Sequence, residues 1–247
     1  MNIQIKRLQF GFTLVEMAMV LIIFGLLLAA LLVPIQAQRN LALQTETENT
    51  LNVVRKAILG FAQTQGRLPC PATAASNGAE SPVGGGTCTQ QTGFLPAATL
   101  GIQPTDSLGF ALDGWNNRIR YAATQVNIAG VATPEFTTAN EMANIGIAGL
   151  SPNLRICGTS TAASCTVAIN LINNAVAVIY STGATAALGS VGKADETENL
   201  NAVANVDTVF VSHESQQNDV NGEFDHLVVW ISPFVLYNEM IQAGQLH

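Results

Sequence analysis

The chain has 247 residues, with 10 basic and 17 acidic side chains, a formal net charge of −7 and only 11% charged residues. That length fits one good-sized domain with an appendage, or two small domains. An acidic chain without a Lys/Arg cluster makes few phosphate contacts, which excludes nucleic-acid binding through a basic groove, and a surface built mainly of Asn, Gln, Thr, Ser and Ala suits an exported protein better than a cytosolic enzyme.

The first element in the chain is apolar. From Phe12 to Val33 there are 22 residues with a single ionisable group, Glu16. As a helix this run covers roughly 33 Å, enough to cross the hydrocarbon core of a bilayer. The stretch before it, MNIQIKRLQFG, is short and basic and ends in Gly11. A secretory signal peptide would be followed by a small-residue cleavage site, and no convincing one follows Val33. A plain uncleaved anchor explains neither Gly11 nor Glu16, because a carboxylate in the hydrocarbon costs about 2.5–3.5 kcal/mol on insertion scales.

The sequence GFTLVE after a short basic leader resembles the processing site of type IV prepilins and type II secretion pseudopilins. The resemblance implies cleavage by a prepilin peptidase between Gly11 and Phe12, N-methylation of Phe12, and a filament role for Glu16. There its carboxylate would meet the new amine of Phe12 on a neighbouring subunit and set the axial register of packed helices. It also implies residence in the inner membrane as a single-pass protein with a periplasmic head, followed by entry into a pilus or pseudopilus. The expected partners are prepilin peptidase, other pilin or pseudopilin subunits, an inner-membrane assembly platform and membrane lipid, with no nucleic acid. The leader is then residues 1–11, the transmembrane and filament-core helix 12–33, an amphipathic stem 34–66 and a β-rich head 67–247.

Past Pro34, which can kink a helix, Leu51, Val54, Ile58 and Phe61 fall at steps of three and four and predict an apolar stripe facing the head. Gly60, Gly66 and Leu68-Pro69 end the helix. Residues 67–88 are rich in Pro, Gly and Ser and predict a loop. Gly84–Gly86 lack the Lys-Ser/Thr and the preceding strand of a phosphate loop. The stretch from Leu68-Pro69-Cys70-Pro71 through Leu95-Pro96 and Leu100-Gly101 to Asp113-Gly-Trp-Asn-Asn-Arg-Ile-Arg-Tyr121 is similar to a pilin-related group of larger exported subunits. Trp115 and Tyr121 read as core or sheet-face aromatics. Residues 117–126, 176–183, 207–214 and 224–232 predict strands, the second of them central, and 233–247 a short closing helix. Residues 184–206 read as loop. The fold class is α+β: a long N-terminal helix, half transmembrane and half amphipathic, packed on an antiparallel sheet in the pilin-like manner.

Four cysteines allow three pairings. Cys70–Cys88 and Cys157–Cys165 are favoured because each closes a short, turn-rich loop. No catalytic constellation is expected. His213-Glu214 has no second histidine four residues on, Ser181 lacks the first glycine of a nucleophile elbow, and Asp225 and His226, read as adjacent strand residues, would face opposite ways. No cofactor or metal site is assigned, although Asp195, Glu196, Glu198 and Asp207, or Asp219, Asn221 and Glu223, are the oxygen-rich candidates for calcium. The sequence therefore points to a structural filament subunit. A pilus-tip adhesin and an anchored periplasmic protein that never polymerises are the alternatives.

Overall fold

The computed structural model describes residues 11, 13–127, 133–160, 165, 169–189, 193–200, 208–219 and 222–246, with the backbone alone over 29–37 and 217–219. Helix α1 runs from Leu14 to Gln65 and continues through Pro34. The chain divides into two units, Met1–Leu43 and Gln44–His247.

In the second unit the core stripe of α1 is Thr47, Leu51, Val54, Ile58 and Ala62, all fully buried. Ala62 extends the stripe where the sequence suggested Phe61. Phe61 is half-buried and carries the Arg67 guanidinium 4.9 Å above its ring. The helix stops at Gly66, whose φ of +64° and N–H···O bond of 2.9 Å to Ala62 make a left-handed cap.

The loop beyond is held from inside. Arg67 and Glu80, both buried, form a two-pronged pair at 2.8 and 2.7 Å, and Glu80 also accepts the Cys70 and Gly84 amides at 3.1 Å each. Burial works against the Glu80 charge, but the guanidinium and the two amides outweigh it and hold its carboxyl below the usual range. The middle glycine of the triple, Gly85, has a packing reason. At Gly85, φ +79°, a Cβ would lie 2.3 Å from the Thr137 carbonyl oxygen. Cys70–Cys88 closes this loop, and Cys157–Cys165 closes the other expected one.

The remaining elements are β1 (Thr92–Phe94), α2 (Ala97–Leu100), β2 (Arg120–Ala123), α3 (Glu141–Ile145), β3 (Leu154–Cys157), β4 (Asn170–Ala175), β5 (Ala177–Ser181), a 3₁₀ turn (Ala186–Leu188), α4 (Ala194–Leu200), β6 (Val209–Val211), β7 (Gln216–Asp219), β8 (Gly222–Phe224), β9 (Leu227–Ile231) and α5 (Pro233–Gln242). The main sheet has the order β1-β2-β5-β9 and is antiparallel throughout. β5 is interior and buried along its whole length, as its continuous apolar run requires.

Register sorts the two faces. Tyr121, Ile179, Ala123, Ala177 and Ile231 meet the stripe of α1 and the buried residues of α5. Ala122, Val178 and Tyr180 point the other way, to Leu154, Ile156 and Phe210. That second layer is a three-stranded sheet, β4-β3-β6, in which β3 and β6 run parallel. The sequence reading placed the 207–214 strand in an antiparallel sheet, and the parallel pairing is a difference. It also read 184–206 as loop, whereas α4 occupies Ala194–Leu200 and buries Asp195, Glu196 and Asn199. Helix α5 begins at Ser232, whose hydroxyl accepts the Val235 amide, with Pro233 in the first turn.

Candidate assembly site

The start of α1 carries a reciprocal cap. Thr13 stands just before the first helical residue, and its backbone N–H and its hydroxyl both donate to Glu16 Oε2 at 2.9 Å. The Glu16 amide returns a bond of 3.3 Å to Thr13 Oγ1. Thr-x-x-Glu is the capping-box spacing, which satisfies two of the amide donors that a helix start leaves without partners. Glu16 therefore has a local structural partner within its own chain, a use that the sequence reading missed although Thr13-Leu-Val-Glu16 spells the motif.

Gly11 is exposed, and a Cβ built on it meets nothing within 4 Å. Among the described residues, packing makes no demand for glycine at this position. Phe12, the expected methylated residue, lies outside the described residues. From Leu14 to Leu28 every side chain is exposed, with Leu14 at 87% and Phe24 at 61%. A helix apolar around its whole circumference requires an apolar partner on every side. Among the described residues no helix is long and apolar enough to cross a membrane.

In the head, Asp113 organises the Asp-x-Trp-x-Asn segment. It accepts the Trp115 amide at 2.9 Å and the Asn117 amide at 2.7 Å, and also the Ser181 hydroxyl at the end of β5. Asn117 Nδ2 reaches the Gly183 carbonyl at 2.7 Å. Burial pushes the Asp113 carboxyl up despite these donors. The network clamps a turn to a strand. Tyr121 is a core aromatic, as expected, and donates its hydroxyl to the Pro69 carbonyl at 3.1 Å, whereas Trp115 is only half-buried.

Asp225 and His226 depart from the sequence reading. They lie between β8 and β9, outside either strand, so strand alternation does not separate them. Glu196, Asp225 and His226 bring ligand-type atoms within 4.8 Å of one another. Two features of the surroundings weigh against a metal ion. Asn199 is oriented by Val211, accepting its amide at 2.6 Å and donating to its carbonyl at 2.9 Å. Its Nδ2 is therefore the donor to His226 Nδ1 at 3.2 Å, which leaves the proton of neutral His226 on Nε2. A ligating histidine normally donates its second N–H outward, the reverse of this arrangement. Lys193 Nζ already stands 3.3 Å from Glu196. Of the calcium candidates, Asp207 and Asn221 lie outside the described residues, and Asp195 faces the Ser160 amide and His213.

No curated protein and no solved structure matches the chain. Residues 6–32 match the prokaryotic N-terminal methylation motif, which makes this N-terminus a prepilin-type motif of the kind carried by type IV pilins and pseudopilins.

Proposed function

We propose that this chain is a structural, non-catalytic subunit, a minor pilin or pseudopilin, that waits in the inner membrane and is drawn by its N-terminal helix into a pilus or pseudopilus. The observation that carries the reading is the methylation motif over residues 6–32, joined to the Leu14–Leu28 segment of α1, whose apolar residues are exposed on all sides. The sequence 12–33 is the proposed membrane anchor, with lipid covering it before assembly and neighbouring helices after. Glu16 is proposed to exchange its bonds with Thr13 for the methylated amine of a neighbouring Phe12. A carboxylate that has lost water gains more from that cation than from neutral donors.

Intact-mass measurement of the membrane-extracted protein tests the reading. The expected form has lost residues 1–11 and gained one methyl group. A full-length, unmethylated species in cells that process other prepilins would remove the proposal. Two substitutions separate the roles of Glu16. Glu16→Gln keeps the capping geometry and removes the charge, and Glu16→Ala removes both. Both are expected to be processed and poorly incorporated into filaments. Wild-type incorporation of Glu16→Gln would assign the residue to capping alone.

A further inference from the structure

A cavity of about 370 Å³ lies in the head between Phe94 and Arg120 of the main sheet, the 186–189 segment and helix α4. That volume is within the range of small-molecule sites. The charges lining it are unevenly matched.

Arg118 and Arg120 supply the cationic side. Arg118 lies 4.2 Å over the Phe110 ring and pairs with Asp106 at 2.7 Å. Arg120 stacks 4.3 Å over Phe94, and among the described residues no carboxylate is paired with it. Stacking covers the face of a guanidinium and leaves its N–H edge, the part that grips a carboxylate with two parallel bonds.

Glu196, only 3% exposed, supplies the anionic side. Its Oε1 accepts the Asp225 amide at 3.1 Å, and its Oε2 lies 3.3 Å from Lys193, which it shares with Glu223 at 3.1 Å. Lys193 is shared by Glu196 and Glu223, and Asp225 beside them is bonded to the Thr185 amide rather than to a cation, so a negative surplus remains. Burial, with Asp225 nearby, pushes the Glu196 carboxyl up despite Lys193. A metal ion would supply positive charge, but the Asn199–His226 bond fixes an N–H where a ligand lone pair is needed. An organic ammonium has no such requirement, because carboxylate oxygens alone can receive it.

We infer that this cavity binds a small zwitterion, a free amino acid or a short peptide, with its carboxylate on the edge of Arg120 and its ammonium on Glu196. Thr182 and Asn116, which also line the space, offer polar contacts to the remainder. The inference does not depend on how the N-terminus is processed.

The test is saturation-transfer NMR on the full-length protein in detergent micelles. The probes are the twenty free L-amino acids, pools of dipeptides, and the same compounds with acetylated amines and amidated carboxyls. Saturable binding of at least one zwitterion, with its doubly blocked form silent, is expected. Binding confined to free amino acids or to dipeptides identifies the source, and either supports the site. Arg120→Gln, at a half-buried position, is expected to weaken binding about thirtyfold or more, and Glu196→Gln similarly, with thermal melting checked for each. Because Glu196 also braces Asp225, Arg120→Gln is the deciding variant if Glu196→Gln misfolds. Silence from every zwitterion, equal binding of the blocked forms, or undiminished binding by folded Arg120→Gln would overturn the inference.

Discussion

Gly11 and Glu16, the residues proposed for processing and for assembly, stand very differently in their own chain. Among the described residues Gly11 touches nothing that a methyl group would disturb, so Gly11→Ala is expected to fold as before and to accumulate with residues 1–11 still attached, seen by mass spectrometry. Glu16 is legible twice, as the fifth residue after the expected cut and as the fourth of a capping box. His226 was the residue the sequence misplaced, because strand alternation was applied to a position that is in no strand. Its burial pushes its pKa down to about 4, with the Lys193 charge adding to the effect. A histidine whose folded pKa lies below its unfolded value contributes stability at neutral pH. That stability is lost as pH falls from about 6.5 to about 4, on the order of 3 kcal/mol in all. Denaturant melts of His226→Asn are expected to show a shallower dependence on pH in that window than the parent chain. Glu80, held low by Arg67 and two amides, adds its own loss further into acid. The raised carboxyls of Asp113 and Glu196 act in the opposite direction, their unfavourable ionisation telling as pH rises.

Among the elements, those with strong periodicity were readable and those set by distant contacts were not. The stripe Leu51, Val54, Ile58 and the unbroken apolar run of β5 both express a single buried face or a fully buried strand. Helix α4 escaped notice because its buried residues are Asp195, Glu196 and Asn199, polar groups satisfied by other parts of the chain. A hydropathy pattern does not register such burial. The parallel β3–β6 pair joins residues about fifty positions apart, and no local signal encodes that choice of partner. The loop after α1 combines turn composition, which the sequence displays, with the Arg67–Glu80 pair, which it does not. Removing one member leaves a buried charge without its counterion, so Glu80→Gln is expected to cost about 3–5 kcal/mol, measured by urea titration at neutral pH. Reducing Cys70–Cys88 in the folded protein is expected to cost about 3 kcal/mol, seen as a lower Tm in dithiothreitol.

At the level of the whole molecule, one chain holds a head with its own hydrophobic core and an N-terminal segment whose apolar side chains from Leu14 to Leu28 are exposed. The division at Leu43–Gln44 leaves the core stripe of α1, from Thr47 to Ala62, with the head. A chain beginning at Gln44 is therefore expected to stay in the aqueous phase of a detergent-partition experiment, while the full chain enters the detergent phase. Appearance of the shortened chain in the detergent phase would mean that the head has a membrane affinity of its own.

The segment from Gly66 to Cys70 has a mechanical consequence. In the proposed assembly, a pull on the N-terminal helix is felt where α1 gives way to the head. There the Arg67 fork, the Tyr121–Pro69 hydrogen bond and the Cys70–Cys88 bond all grip within four residues of one another. Load entering along the helix is thus divided between the sheet, through Tyr121, and a covalent loop, through Cys70. Under tension the head is expected to tear last at this junction and first along its short outer strands.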